Sequence, residues 1–232
     1  MPSTDHDFIA TLRSRHSARK FLPDAIPGSE IRAILDDART APSNSNTQPW
    51  QTHVVSGPAR DALAERLVAA FEEGRRSPDF TDDDGNGVHA ARSRDFAALH
   101  YGVRGIARSD RDGRHRVLLD NMRFYGAPHV ALLFTPLIGD GVRAAGDVGM
   151  YAQNLLLSLT ARGYSGVPQA MIGGYADTVR AALDIPEDLK LLFAVSFGIP
   201  DEDSPLRTLD TPRLALEESV VTHDTPGVLA EQ

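Results

Sequence analysis

Residues 129–163 read HVALLFTPLIGDGVRAAGDVGMYAQNLLLSLTARG, and this stretch decides the class of fold. Residues 129–135 form a short apolar run rich in strand-forming side chains, which predicts a strand buried on both faces. Residues 145–162 carry apolar side chains on nearly every face after Gly149, which predicts a helix buried all round or lying in a subunit interface. Gly163 is the residue type that most often follows a helix end.

Weaker patterns on either side complete the outline. Short runs of strand-forming residues predict strands at 51–56 and 189–198. A polar segment at 74–87 predicts a mobile loop, and a Gly- and Pro-rich segment at 164–174 predicts a second loop. Apolar residues at helical spacing predict helices over residues 5–13, 29–41 (with Ser29 as its N-cap), 59–73, 88–108, 111–125 and 176–183. Few strands mixed with many helices indicate an α+β, or three-layer α/β/α, fold in one domain.

The composition excludes several kinds of protein. The chain has 232 residues and no cysteine, which excludes disulfides, thiolate nucleophiles, zinc–thiolate sites and iron–sulfur clusters. Its net charge of −8 disfavours binding to nucleic acid or to an anionic membrane, since both require a basic surface. Neither a run of about 18 apolar residues nor a signal-peptide pattern is present, so a soluble, cytoplasmic protein is expected.

Two segments carry side chains suited to binding. Arg15, Ser17 and Arg19 alternate along the chain, so in an extended segment two guanidiniums and a hydroxyl face the same side and can receive an anion. Residues 42–50 read PSNSNTQPW, and their side-chain amides offer donors and acceptors that suit the edge of a heterocycle. The alternatives are a solvated basic turn for the first segment and an Asn-rich turn for the second.

Several familiar motifs are incomplete. Residues 82–87 match the first half of a calcium loop, but Ser93 stands where a bidentate Glu is needed. Residues 139–144 match G-x-G-x-x-A, but the acidic residue expected about 20 positions later is absent, so a Rossmann dinucleotide site is not expected. The His spacings of zinc sites and the G-x-S-x-G of serine hydrolases are also missing, and no metal site is expected.

The binding segments occur in an order known from one family. Residues 15–21 (RHSARKF), followed by residues 42–50 (PSNSNTQPW), resemble the FMN-dependent nitroreductase family. The apolar helix leading into a glycine turn at 147–163 is similar to a third motif of that family. FGIP at 197–200, followed by TPRLALEE at 211–218, is similar to its C-terminal motif.

The resemblance implies a fold, a cofactor and an assembly. It implies a small, central, mostly antiparallel sheet flanked by helices, in an intertwined homodimer with FMN at each of two interface sites. Because the resemblance covers residues 15–220, residues 1–232 would form one domain, with a variable helical cap at 74–125 and an extended C-terminal arm at 199–232. In this family NAD(P)H gives a hydride to flavin N5, and a small-molecule acceptor such as a nitroaromatic or a quinone takes the electron pair.

The resemblance also implies which residues hold the flavin. Arg15 and Arg213 would bind the phosphate, with His16 and Ser17 nearby. Arg19 would approach the N1–C2=O edge, where a cation stabilises the reduced flavin.

Two further groups of contacts follow from the same resemblance. The contacts implied on the partner subunit are Pro42, Ser43 and Asn46, with Gln48 holding their loop; those implied at N5 are Pro168, Gln169, Ala170 and Met171. Many family members carry an acidic or Gly residue at the middle two N5-side positions, and Ala215 replaces the usual Pro of the arm. In the cap, Tyr101, Phe124 and Tyr125 are candidates for stacking on substrates, with a core role as the alternative.

Three other functions remain as alternatives. The first is a flavin-dependent oxidase or flavin-fragmenting enzyme of the same fold that uses O₂ in place of NAD(P)H. The second is a protein that binds flavin without turnover. The third is an α+β interaction domain that binds no flavin.

Overall fold

The sheet forms around β2 (His129–Pro136), in which seven of the eight residues are buried. The computed structural model describes residues 8–81, 83 and 85–223. The other strands in the described ranges are β1 (Gln51–Ser56), β3 (Ser165–Gln169) and β4 (Leu189–Gly198), and the four pair in the order β1-β2-β4-β3. Every neighbouring pair is antiparallel. The predicted α+β class with a small antiparallel sheet is confirmed, as are the strands at 51–56 and 189–198.

Nine α-helices and three short 3-10 helices surround the sheet in the described ranges. The α-helices are α1 (Phe8–Ser14), α2 (Gly28–Ala38), α3 (Gly57–Glu72), α4 (Gly87–Val103), α5 (Arg111–Met122), α6 (Val142–Ala161), α7 (Ala170–Gly173), α8 (Ala176–Leu183) and α9 (Leu216–Ser219). The 3-10 helices are Asn44–Asn46, Phe124–Gly126 and Pro205–Thr208. None of the described helices combines the length and the hydropathy that crossing a membrane requires.

Alternation along β2 sends apolar side chains to both faces of the sheet. Val130, Leu132 and Phe134 join one core cluster, which α3, α7 and α8 cover. Ala131 and Leu133 join the other cluster, which α2 and α6 cover. The result is a helix–sheet–helix arrangement of three layers, and the prediction of a strand buried on both faces is confirmed.

Helix α6 buries one side and not its whole surface. Leu155 and Leu159 are fully enclosed in the core cluster between α6 and the sheet. Met150 is 40% exposed, and Gln153 is exposed too. Burial all round is therefore wrong for the single chain, and the subunit interface remains the alternative for its outer face.

The loop predicted at 164–174 contains a strand and a helix instead. β3 is an edge strand, and an edge strand tolerates Pro168, which has no N–H to donate. Gly166 is required by packing, because a Cβ there would lie only 2.9 Å from Cδ2 of Leu156 on α6. Gly and Pro mark turns in most sequences. Here Pro168 fits because it lies in an edge strand, and Gly166 fits because α6 packs closely against the strand.

Helices α2, α4 and α5 each end three or more residues before their predicted last residues. α4 ends at Val103 and not at 108, because Gly105 takes a positive φ of 66°. The N–H of Ile106 then donates to the carbonyl of Tyr101 (2.9 Å), which closes a Schellman motif. α5 ends at Met122 and not at 125, and a 3-10 turn follows it.

The second helix also differs from its predicted start. α2 begins at Gly28, so Ser29 lies inside the helix and its predicted role as N-cap is wrong. The carbonyl of Pro27 accepts the first hydrogen bonds, from the N–H groups of Glu30 and Ile31. α1 begins at Phe8 within the described residues, and positions 5–7 of its predicted range lie outside them.

The loop predicted to be mobile at 74–87 is anchored in its first half. Asp79, whose side chain is 7% exposed, accepts two hydrogen bonds from Arg180 (2.6 and 3.0 Å) and one from the N–H of Leu191 (2.8 Å). This pairing raises the pKa of Arg180, because the carboxylate favours the charged guanidinium. Asp82 and Asp84 of the incomplete calcium motif lie outside the described residues, and within the described ranges no cluster of side chains suits a metal ion.

Replacing Asp79 with Ala should destabilise the protein strongly. The change leaves the Arg180 guanidinium buried with its main partner gone, which typically costs about 3–5 kcal/mol. Asp177→Ala is the matched control, since Asp177 also pairs with Arg180 but its side chain is 73% exposed. That change should cost less than about 1 kcal/mol. Urea denaturation measures both, and equal costs would contradict the role given to the buried pair.

Candidate functional site

Two arginines from opposite ends of the chain lie beside each other. Arg15 follows α1, and its N–H donates to the Thr11 carbonyl (3.1 Å), while the ring Nδ1 of His16 lies 3.1 Å from another carbonyl at that helix end. Arg213, in the C-terminal arm, donates from Nη1 to the Thr211 carbonyl (2.7 Å). Burial lowers the pKa of Arg15, and the charge of Arg213 lowers it further. The structure brings together the two arginines predicted to bind phosphate, and their repulsion favours an anion nearby.

The segment at 15–21 runs along the edge of the sheet. Ser17 forms a parallel bridge with Gly166 of β3, and Phe21 forms an antiparallel bridge with the chain just after β4. Nη1 of Arg19 donates to the carbonyl of Ser17 (3.2 Å). The bridges hold the backbone of the predicted anion receptor in place beside the strand that leads to the predicted N5-side residues.

Arg19 lies between an aromatic ring and a phenol. Its guanidinium is 5.3 Å from the ring centroid of Phe96, and a second neighbour is Tyr125, whose hydroxyl accepts a hydrogen bond from Asn121 (2.8 Å). Burial lowers the pKa of Arg19; Tyr125 opposes that effect, and the charges of Arg104 and Arg15 add to it. Arg19 therefore has two positive neighbours.

Arg104 extends this line of charge and was missed by the sequence analysis. We call Arg213, Arg15, Arg19 and Arg104 the arginine row. Nη1 of Arg104 donates to Asp120 (2.9 Å), whereas its Nε and Nη2 are buried without a hydrogen-bond partner among the described residues. No motif marks Arg104, because the neighbours that give it meaning come from distant parts of the chain.

A neutral histidine lies near Arg19 and Arg104. His100 is 7% exposed, and its Nε2 has no hydrogen-bond partner in the described part of the chain. Burial lowers the pKa of His100 to about 4, with the charges of Arg19 and Arg104 as the next causes. The ring packs edge-on against Phe96 and Tyr101. His100 is thus uncharged at neutral pH and reports the positive potential around it.

Residues 42–50, which we call the amide loop, pack on α6 and on one another. Its predicted site residues are Pro42, Ser43, Asn46 and Gln48. The N–H of Asn44 donates to both carboxylate oxygens of Asp147 (3.1 and 3.2 Å). Ser43 Oγ accepts from the N–H of Gln48 (2.9 Å), and Gln48 Nε2 donates to the Asn46 carbonyl (3.3 Å). Across residues 8–81, 83 and 85–223, no hydrogen bond joins this loop to the arginine row.

The predicted N5-side residues lie where β3 passes into α7. They are Pro168 and Gln169 at the end of β3, and Ala170 and Met171 at the start of α7. The side chain of Gln169 is 2% exposed and donates to the carbonyl and Oδ1 of Asn121 (2.8 and 2.9 Å), while the hydroxyl of Ser196 donates to its Oε1. The side chain of Gln169 is therefore engaged within the protein, and the backbone is what this segment can offer a ligand.

The three aromatic residues proposed for substrate stacking differ in position. Phe124 is fully buried in the core, with the guanidinium of Arg60 over its ring, so its burial contradicts the predicted stacking role. Tyr125 is also buried, but it lines a cavity beside Arg19. Tyr101 is partly exposed and lines a smaller cavity of about 400 Å³.

The larger cavity has a volume of about 1290 Å³ and meets the row at Arg19 and Arg104. Arg116 and Arg123 also line it, which makes its wall basic. Of the residues predicted to hold the flavin, Arg19 lines this cavity, whereas Arg15, Arg213 and the segments at 42–48 and 168–171 do not. What is assembled suits a planar ligand that carries negative charge at more than one point.

Comparison with known proteins agrees with the geometry. A model of the nitroreductase family matches residues 12–199. Nitroreductase NfnB of Mycolicibacterium smegmatis is 46% identical over 210 residues, which cover 90% of this chain and 89% of that protein. A 4-nitrobenzoate reductase of Pseudomonas putida is 35% identical over 89% of this chain and 91% of its own length.

A solved structure shows the same likeness in three dimensions. The crystal structure of the FMN-dependent nitroreductase NfnB from Mycobacterium smegmatis, in complex with NADPH, has a TM-score of 0.88 and 44% identity to this protein. The match covers 92% of this chain and 96% of that one. Since the family model spans most of the chain and relatives above 30% identity cover nearly all of it, this protein belongs to the nitroreductase family.

Proposed function

We propose that this protein uses FMN and NAD(P)H to reduce nitroaromatics and other electron-poor acceptors such as quinones. The arginine row carries the proposal, because among the described residues its four guanidiniums have one carboxylate partner, Asp120. FMN has a phosphate at one end and an N1–C2=O edge that becomes negative on reduction at the other, which suits such a row. The relative solved with NADPH and the relative named for 4-nitrobenzoate support the choice of donor and acceptor.

The residues present fit this cofactor. Arg15 and Arg213 would bind the phosphate, with the Ser17 hydroxyl and the His16 ring as nearby donors. The guanidinium of Arg19 would lie at the N1–C2=O edge, and a backbone N–H within 168–171 would bond to N5. Bound FMN would supply the redox chemistry by accepting a hydride from NAD(P)H at N5. The protein itself orients the ligands and stabilises charge, so no general acid–base pair is required.

The amide loop fits a contribution from a second subunit. In one chain its hydrogen bonds run to α6 and to itself, away from the arginine row. The outer face of α6 leaves Met150 exposed beside this loop's anchor, Asp147. We therefore propose a homodimer in which each flavin is held by the row of one protomer and the amide loop of its partner.

Replacing Arg15 with Ala should weaken the retention of FMN. The lost charge-assisted hydrogen bond to phosphate typically costs about 1.5–3 kcal/mol, which corresponds to a roughly 10- to 150-fold rise in Kd. Arg13→Ala is the matched control, since Arg13 lies exposed in the last turn of α1 and carries the same charge. Quenching of FMN fluorescence on titration with apoprotein gives both constants. Equal affinities for the two variants would remove Arg15 from the phosphate site.

Anaerobic mixing with NADPH or NADH should bleach the bound flavin, and adding 4-nitrobenzoate should restore its colour. This result is expected because one relative is named a 4-nitrobenzoate reductase and another is an FMN-dependent nitroreductase solved in complex with NADPH. Absorbance in a stopped-flow cell measures both steps. Flavin that neither nucleotide bleaches would favour an O₂-dependent enzyme or a protein without turnover, and a purified protein that takes up no FMN would favour an interaction domain.

Mixed dimers should reveal a site shared between subunits. Arg15→Ala and Asn46→Ala each damage both sites of a homodimer, since each protomer contributes one residue to each site. A dimer with one chain of each kind has one doubly damaged site and one intact site. Co-expressed chains with two different affinity tags should therefore regain FMN on the doubly tagged dimer. No recovery on that dimer would mean that both residues act within a single chain.

A further inference from the structure

Arg104 is held in an enclosed place by a single carboxylate. Its salt bridge to Asp120 spans 2.9 Å, and its side chain is 13% exposed, so the charge does not extend into solvent. Nε and Nη2 are buried without a hydrogen-bond partner among the described residues. An enclosed guanidinium with unused donors lowers the stability of the folded protein, which indicates a role in function.

Arg104 lines the same cavity as Arg19, which follows α1. Burial is the main cause that lowers the pKa values of Arg19 and of His100 on α4, and the charge of Arg104 lowers both further. Tyr125, beyond α5, is a neutral phenol, because burial raises its pKa. Asp120 on α5 is the one carboxylate on the row in the described ranges, and its side chain is 46% exposed, so solvent screens part of its charge. The balance at Arg19 is therefore positive.

We propose that Arg104 is a second cation behind Arg19 that makes the site bind reduced FMN more tightly than oxidised FMN. The inference rests on the proposed function, which puts Arg19 at the N1–C2=O edge. That edge gains negative charge when FMN is reduced, so an enclosed cation favours the reduced ligand more than the oxidised one. No direct contact is needed, because charges interact over a longer range in a poorly solvated site. Arg104 is thus a positioning residue that tunes the flavin.

This preference for reduced FMN would affect the two hydride transfers of the reaction in opposite ways. Tighter binding of the reduced form raises the reduction potential of the bound flavin by the same free energy. Uptake of a hydride from NAD(P)H becomes more favourable, and transfer to the acceptor becomes correspondingly less so. A site tuned in this way suits acceptors that are strongly electron-poor, such as nitroaromatics.

The test compares the Kd of oxidised FMN with the Kd of reduced FMN for the apoprotein under anaerobic conditions. In Arg104→Gln the ratio of the oxidised to the reduced Kd should fall on the order of tenfold, which equals a potential about 30 mV lower. Spectroelectrochemical titration of the loaded protein measures that potential independently. Arg104→Lys keeps the charge and should keep most of the ratio.

Two more variants sharpen the test. Arg116 lines the same cavity from α5 but is exposed and outside the arginine row, so Arg116→Gln should leave the ratio within about twofold. Asp120→Asn removes the carboxylate partner of Arg104 and should raise the ratio of the oxidised to the reduced Kd, which is the opposite of the change expected for Arg104→Gln. This variant leaves Arg104 itself unchanged, and the side-chain oxygen of Asn can still accept its hydrogen bond, so the variant tests the proposal even where Arg104→Gln fails to fold.

Specific results would overturn the proposal. If Arg104→Gln weakens both forms of FMN equally, the residue has a structural role only. If Asp120→Asn lowers the ratio, the field of Arg104 does not act on the flavin. If the unsubstituted protein binds neither form, the proposed function itself fails, and that outcome is separate because it is measured before any substitution.

Discussion

Burial of β2 on both faces is the constraint on which the rest of the structure depends. A strand whose side chains are apolar in both directions must be covered on both sides, and α2 and α6 cover one side while α3, α7 and α8 cover the other. With both faces closed, polar segments can approach the sheet only at its edges and ends. The segment at 15–21 does so at β3, through the bridge from Ser17 to Gly166. The candidate site is therefore built beside the sheet, where charged groups remain accessible.

The arginine row shows how this site is held together without a ligand. Burial lowers the pKa values of Arg15 and Arg19, and the charges of neighbouring guanidiniums lower them further, so the row is a cluster of like charges that opposes folding. Backbone bridges and the Asp120 salt bridge keep it in place. A ligand with negative charge would relieve the repulsion, so the like charges that disfavour folding also favour the binding of an anion.

Sequence patterns predicted the elements whose signal is local. The strands at 51–56 and 189–198 and the buried strand at 129–135 were all found, because an apolar run identifies a strand without knowledge of its partners. β3 was missed, since Gly166 and Pro168 are explained only by the packing of α6 and by an edge position. The burial of Phe124 was equally invisible, because nothing in the sequence separates a core ring from one that faces a cavity.

By itself, the sequence determined the fold class, the resemblance to the nitroreductase family, and the two segments rich in arginine and amide side chains. Only the tertiary structure decided which of the many arginines act together. It placed Arg213 beside Arg15 and Arg104 beside Arg19, and it engaged the side chain of Gln169 within the protein. The reason is physical: repulsion and hydrogen bonding depend on distances in space, and residues far apart along the chain come within reach of one another only when the sheet and its two helical layers have formed.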